Sequence, residues 1–155
     1  MNKTVILVDD NPDDSLLMIR AIKKSGNDVN IVVLNSGAEA LDYFFCRGNH
    51  QDRDVTQQSS LILLDLKLPK ISGHDVLKQL RSDKRTQCLP IVVTSTSNEP
   101  SDVELSYRLG ANSYIRKPVD FNTLVVVVGK LCEYWLNINF PAPETTEWTL
   151  KRSSC

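Results

Sequence analysis

Neither sign of charge is in excess in this chain of 155 residues: 18 lysines and arginines stand against 19 aspartates and glutamates, for a formal net charge of -1. So balanced a chain projects no global field toward nucleic acid or an anionic membrane surface, and its partners must be recognised locally. The four cysteines, Cys46, Cys88, Cys132 and Cys155, form no CxxC pair, and neither His50 nor His74 lies at zinc-ligand spacing from them. That removes a zinc site and leads us to expect free thiols in a reducing compartment. No apolar run approaches membrane-spanning length, and Met1-Asn2-Lys3 leads straight into an apolar segment too short for a signal peptide and without a cleavage site. The expectation is a cytoplasmic protein that binds neither membrane nor nucleic acid. Internal repeats, low-complexity tracts and a second domain are missing as well, and the length and hydrophobic content suit one domain with one substantial core.

What is present is an alternation of short apolar runs and helical stripes. Thr4 to Val8 reads as a strand buried on both faces and ending abruptly in Asp9-Asp10. Asn11-Pro12-Asp13-Asp14 is a helix start, with a cap residue, a proline at the first position and acids in the first turn. Leu16, Leu17, Ile19 and Ile22 continue it until Ser25-Gly26-Asn27. The unit repeats with Val29 to Leu34 as strand and Ser36 to Phe45 as helix, opened by the capping-box string Ser36-Gly-Ala-Glu39. The aperiodic stretch Cys46 to Ser60 is a long surface loop.

Leu61 to Leu64 is a third strand, ending in Asp65, and Gly73 to Leu80 a third helix. Ile91 to Thr94 is a fourth strand, followed by the hydroxyl cluster Ser95-Thr96-Ser97; Ser101-Asp-Val-Glu104 reads as a second capping box before a helix ending at Leu109-Gly110. Asn112 to Ile115 is a short fifth strand. Val125 to Val128 prefers strand by propensity, but Phe121, Leu124, Val128, Leu131 and Trp135 recur at helical spacing, and the alternation decides for a helix from Asp120 to about Asn137. Residues 1–137 form the expected domain, and 138–155 a proline-punctuated extension, partly disordered.

Five strands alternating with five helices define an α/β fold, a doubly wound parallel sheet with helices on both faces. Its site lies beyond the carboxyl ends of the strands. Those ends carry Asp9 and Asp10, Asp65, Ser95 and, just past the fifth, Lys117. Three carboxylates gathered together repel one another unless a hard cation sits between them, and oxygen-only ligation suits Mg2+. A carboxylate can attack phosphorus to form an acyl phosphate, which makes Asp65, the single acid on the central strand, the candidate nucleophile. Lys117 would pair with it at rest and with a phosphate oxygen after transfer, and the Ser95 hydroxyl would donate to another.

Asp9-Asp10, Leu61-Ile-Leu-Leu-Asp65-Leu-Lys-Leu-Pro69, Ile91-Val-Val-Thr-Ser95 and Ile115-Arg-Lys117-Pro118 together resemble the motif series of the CheY-like receiver domains of response regulators, over roughly residues 3 to 137. The resemblance implies a flavodoxin-like (βα)5 domain of strand order 2-1-3-4-5. It implies Asp10 as a direct magnesium ligand, Asp9 acting largely through water, Asp65 as phosphoacceptor and ligand, and the main-chain carbonyl of Lys67 completing the set. It implies Ser95 and Tyr114 as a switch pair that alters the face of helix four, strand five and helix five, and a cis peptide between Lys117 and Pro118. More narrowly, the long loop after the second helix, the strings Leu-Pro-Lys-Ile-Ser-Gly and Leu-Gly-Ala-Asn-Ser-Tyr-Ile, and Glu133-Tyr-Trp-Leu followed by Pro141 are similar to the bacterial phytochrome response regulators. Those are stand-alone receivers, often homodimeric, phosphorylated by a light-regulated sensor histidine kinase. By that likeness the partners are such a kinase and a second copy, docked through the helix 4, strand 5 and helix 5 face and the C-terminal extension. Lys67 departs from the subgroup, which commonly carries a smaller polar residue there.

Taken singly, each residue has a plainer role: the acidic pair a solvated turn, Lys117 an exposed lysine before a turn proline, Ser95 a loop hydroxyl, Tyr114 a half-buried strand aromatic. Their joint occurrence at one predicted edge carries the inference. His50 and His74 read as surface residues with no apparent nucleophile or metal partner. A haloacid-dehalogenase-type phosphatase would want a second aspartate two places after Asp65, where Lys67 stands. A pseudo-receiver, binding without being phosphorylated, is opposed by the intact acid set. A DNA-binding output domain has no room after the fifth helix. The expected protein signals as a phosphoacceptor and is not an enzyme beyond its own phosphotransfer and dephosphorylation.

Overall fold

Short runs of Val, Ile and Leu pair side by side in a computed structural model that describes residues 3–53 and 60–142. The strands are β1 (Thr4–Val8), β2 (Asn30–Leu34), β3 (Leu61–Asp65), β4 (Ile91–Ser95) and β5 (Ser113–Arg116). Between and after them come α1 (Pro12–Lys24), α2 (Gly37–Phe44), α3 (Gly73–Ser82), α4 (Pro100–Arg108) and α5 (Phe121–Cys132). All strand pairs are parallel and the order is β2-β1-β3-β4-β5, as the family resemblance implied.

Side chains alternate across the sheet, so each strand feeds two cores. Ile6, Val8, Ile62, Leu64, Ile91 and Val93 pack with α2 and α3 on one face. Val5, Leu7, Leu61, Leu63 and Val92 pack with α1 and α5 on the other. β1, β3 and β4 are buried along their whole length, which is why they read as unbroken apolar runs.

The valine run is helical. Leu124, Val128, Cys132 and Leu136 all face the core at helical spacing. β-branched residues give up at most about 0.7 kcal/mol each in helix propensity, whereas each buried aliphatic side chain contributes about 1.5–3 kcal/mol, so burial prevails. The α-helix nevertheless ends at Cys132, short of the expected Asn137, and widens into a π-helical turn, Glu133–Ile138. Lys3 secures that turn from the start of β1, its Nζ donating to the Leu136 carbonyl and, at 2.8 Å, to Asn137 Oδ1. Most of the expected C-terminal extension, residues 143–155, lies outside the described residues.

The caps both confirm and correct the sequence reading. Asn11 accepts from the Asp13 and Asp14 amides, as expected. Ser36 accepts from the Glu39 amide, but Glu39 returns to Asn35 N and not to Ser36. The Ser101 to Glu104 box is not formed: Pro100 takes the first helical position, which puts Ser101 inside the first turn, and Glu99 at the cap makes no side-chain bond. A full capping box forms instead at Ser72 and Asp75 on α3. Among the cysteines, Cys88 and Cys132 are free, whereas Cys46 is disulfide-bonded, contrary to the expectation of free thiols throughout.

At the edge of the sheet opposite the acids, Arg81 ties three connections together. Its Nε donates to Gly110 O at 2.8 Å, Nη1 to Gln87 O at 2.9 Å and Leu89 O at 2.7 Å, and Nη2 to Asn112 Oδ1 at 2.8 Å. Asn112 Oδ1 in turn accepts the first amide of β4, Ile91 N, at 2.7 Å. Replacing Arg81 by Met strands several carbonyls, and we predict a loss of about 2–3 kcal/mol of stability in urea unfolding. Arg81→Lys recovers little of it, because an ammonium on a flexible stem does not reproduce the guanidinium fork.

Candidate functional site

The register of the strands decides which polar groups meet. Val8 pairs with Leu64, so the next residues, Asp9 and Asp65, stand side by side at the carboxyl edge. Asp65 itself pairs with Thr94, placing Ser95 one step beyond, and Ser95 pairs with Arg116. The Lys117 amide then donates to Ser95 O at 2.8 Å, continuing the ladder and carrying the lysine across the edge.

Lys117 Nζ lies 3.0 Å from Asp9 Oδ2, 3.1 Å from Asp65 Oδ2 and 3.8 Å from Asp14 Oδ2. Asp9 and Asp65 are each only 8% exposed, while Asp10 faces solvent. The second oxygens are fixed by main chain: Asp9 Oδ1 accepts Asn11 N at 3.0 Å, and Asp65 Oδ1 accepts Lys67 N at 3.2 Å. Burial pushes the Asp65 carboxyl up, Lys117 pulls it back and Asp9 adds to the rise, with a net upward shift. Burial alone would lower the Lys117 ammonium, but the Asp65 charge and the bonds to Asp9 and Asp65 outweigh it and its pKa is raised.

One oxygen from each of Asp9, Asp10 and Asp65 lies within 4.8 Å of the other two. An octahedral ion with ligands at about 2.0–2.1 Å needs oxygens about 3 Å apart when adjacent and about 4 Å apart when opposed. The cluster is therefore within a small side-chain adjustment of holding one divalent ion, and its all-oxygen donor set suits magnesium or manganese over zinc.

Approach of α3 to this edge depends on a glycine. A Cβ on Gly73 would lie 2.2 Å from the Asp65 carbonyl oxygen and 2.7 Å from Leu66 Cα. Only a residue without a side chain lets the helix start against the end of β3 and fold back the loop that carries Lys67.

Asp9, Asp10, Asp65 and Lys117 converge, and one expectation beside them is corrected. Among the described residues there is no cis peptide, so the Lys117–Pro118 bond is trans; trans is the lower-energy form, and Lys117 reaches both carboxylates without the isomer. His74 Nε2 lies 3.0 Å from Ser106 Oγ on α4, a contact between helices that the sequence does not show. His50 likewise sits 3.4 Å from Glu39 Oε1 and edge-on to Tyr43. Neither histidine touches the acids. Sequence reasoning missed Asp14 as a neighbour of Lys117, and it missed Asp102, which receives the Ser97 hydroxyl at 2.6 Å. Ser97 was visible only as one member of a hydroxyl cluster. Ser95 is fully buried with its Oγ accepting Ser97 N at 3.1 Å, and the Tyr114 hydroxyl donates to Ser97 O at 2.9 Å.

A parallel five-stranded sheet of this order, with paired acids after β1, an acid ending β3, a hydroxyl ending β4 and a lysine after β5, defines a receiver. The chain belongs to the response regulator receiver domain family, which matches residues 5–129. It is 36% identical over 135 residues to the probable methanogenesis regulatory protein FilR2 of Methanothrix harundinacea, covering 87% of this chain and 84% of that one. It is 32% identical over 141 residues to the response regulator Rcp1 of Synechocystis, covering 90% and 94%. Among solved structures it superposes on the phosphorylated cyanobacterial phytochrome response regulator RcpA with a TM-score of 0.84 and 34% identity, over 92% of this chain and all of that one. The Mn(2+)-bound form of Rcp1 gives a TM-score of 0.81 at 30% identity, over 91% and 99%. The chain is thus a CheY-like receiver similar to the phytochrome response regulators. No helix among the described residues is long and apolar enough to cross a membrane.

Lys117→Met is predicted to leave Asp9 and Asp65 facing each other without a cation, costing about 3 kcal/mol in metal-free protein at neutral pH. A carboxyl whose folded pKa is raised destabilises the native state above that pKa and not below its unfolded value, about 3.9. The gap between variant and wild type in urea unfolding therefore narrows as the pH falls toward 4, and narrows at pH 7 on adding magnesium.

Proposed function

We propose that this chain is a stand-alone response regulator that accepts a phosphoryl group onto Asp65 from a sensor histidine kinase and signals through a change of shape. The observation that carries the proposal is the nearly buried Asp65 carboxylate, held by Lys117 at 3.1 Å beside Asp9 and Asp10. In the transfer a carboxylate oxygen of Asp65 forms a bond to phosphorus as the bond from phosphorus to the donor histidine nitrogen breaks, and the imidazole leaves with the electron pair. Asp65 Oδ1 is held by the Lys67 amide, which leaves Oδ2 as the attacking oxygen once Lys117 swings from it to the phosphoryl group. The Ser95 hydroxyl donates to a second phosphoryl oxygen. Asp9, Asp10, Asp65 and the main-chain carbonyl of Lys67 would hold Mg2+, which supplies charge neutralisation for the phosphoryl oxygens.

Ser95 and Tyr114 form the switch pair in this reading, their shared contact being the Ser97 segment between β4 and α4. A change at Ser95 reaches the α4, β5 and α5 face by that route. The same face and the turn after α5 expose Leu105, Val126, Tyr134, Ile138 and Phe140, which supports a homodimer with the C-terminal extension contributing. Similarity to the cyanobacterial phytochrome response regulator RcpA supports a phytochrome-type kinase, and a cytoplasmic setting is part of the same reading. The alternative of a phosphorylation-independent pseudo-receiver is opposed by the intact acid and lysine set, and catalytic turnover on an outside substrate is not part of the proposal.

Incubation with acetyl phosphate and magnesium is expected to add one phosphoryl group to the wild type, seen by intact mass. Asp65→Asn, or chelation of the metal, removes the label; equal labelling of wild type and Asp65→Asn would refute the assignment. In sedimentation the wild type is expected to run as a dimer and Ile138→Asp as a monomer.

A further inference from the structure

We propose that Ser97 and Asp102 are positioning residues for phosphoryl recognition, holding the Ser95 hydroxyl ready to donate; this rests on the reading of Asp65 as phosphoacceptor. α4 carries only one fully buried side chain, and it is a polar one, Ser106. A helix without an apolar anchor is placed by its hydrogen bonds, and here these converge on the segment leading out of β4.

Ser97 uses every polar group it has. Its amide donates to Ser95 Oγ at 3.1 Å, its carbonyl accepts the Tyr114 hydroxyl at 2.9 Å, and its own Oγ accepts Glu99 N at 3.2 Å while donating to Asp102 Oδ2 at 2.6 Å. The last is a short, charge-assisted bond in a part-buried setting, the strongest of the set. Asp102 is itself fixed from behind: Ser106 Oγ donates to its carbonyl at 2.7 Å and meets His74 Nε2 of α3 at 3.0 Å.

A serine hydroxyl has one proton and two lone pairs. With one lone pair of Ser95 Oγ taken by the Ser97 amide, its proton is left to point toward a phosphoryl oxygen on Asp65. Asp102 thus acts on the phosphoryl group two steps removed, through Ser97 and then Ser95. The metal set of Asp9, Asp10 and Asp65 makes no contact in this chain of bonds. Recognition of the phosphoryl group and binding of the metal therefore separate: loss of the Ser97–Asp102 bond weakens the first and spares the second.

The probe is beryllium trifluoride, which mimics a phosphoryl group on a carboxylate, titrated calorimetrically with magnesium present, alongside titration with magnesium alone. Ser97→Ala and Asp102→Ala, which delete the same bond from opposite sides, are each expected to weaken beryllofluoride binding about fivefold. The double variant loses no more than either single, Ser97→Thr stays within about twofold of wild type, and magnesium affinity is unchanged in all four. Wild-type beryllofluoride affinity in Ser97→Ala, or a parallel fall in magnesium affinity, overturns the proposal, and Ser97→Ala decides should Asp102→Ala fail to fold. If the wild type binds magnesium but no beryllofluoride, the reading of Asp65 itself is overturned, and this proposal with it.

Discussion

Carboxylates brought out of water next to one another need a positive charge between them, and this requirement organises the carboxyl edge of the sheet. Asp9 and Asp65 are neighbours because β1 and β3 are neighbours, and their side chains are almost closed off from solvent. In the protein without metal the charge is supplied by Lys117, delivered from the far side of the sheet by β5. The arrangement is electrostatically provisional: the lysine satisfies one oxygen of each acid, main-chain amides satisfy the other, and exposed Asp10 stands ready at the rim. A divalent ion can enter beside the lysine because the three donor oxygens are already gathered. In the proposed phosphotransfer an incoming phosphoryl group would give the lysine a new partner.

The two sides of the fold are anchored differently. α1 and α5 bury Met18, Ala21, Ile22, Leu124 and Val128 against one face, and α2 and α3 bury Leu41, Phe44, Val76, Leu77 and Leu80 against the other. α4 has no comparable apolar stripe and is set in place through Ser97, Asp102, Ser106 and His74. Hydrogen bonds are directional and individually modest, so an element held by them shifts when one partner moves, whereas a packed core does not. The helix beside the Ser95 hydroxyl is the one whose placement can change at low cost.

Much of this was legible in the residues. β1, β3 and β4 run apolar without alternation because both faces are covered, and each ends at the residue where polar chemistry begins. That coupling of burial pattern to site is why Asp9, Asp65, Ser95 and Lys117 could be named before their geometry was known. What escaped notice depends on contacts between residues distant in the chain or on alternatives that are close in energy. The partner of His74 lies 32 residues away on another helix. The α4 start was misjudged because Ser101 and Glu104 have the spacing of a capping box, yet Pro100 and the upstream Ser97–Asp102 bond claim the helix first. The isomer of the Lys117–Pro118 bond turns on about 0.5–1 kcal/mol, less than any local pattern can resolve. The pairing state of Cys46 left no spacing signal at all.

The central claim is that oxygens from two distant stretches of the chain, Asp9-Asp10 and Asp65 with Lys67, make one site for one divalent ion. Substoichiometric Mn2+ added to isotope-labelled protein broadens amide resonances according to their distance from the bound ion. The account predicts that Asp10, Asp65, Lys67 and their immediate neighbours at the carboxyl edge disappear first, and that excess Mg2+ restores them together. Broadening centred on another acidic part of the surface, or failure of Mg2+ to compete, would contradict it.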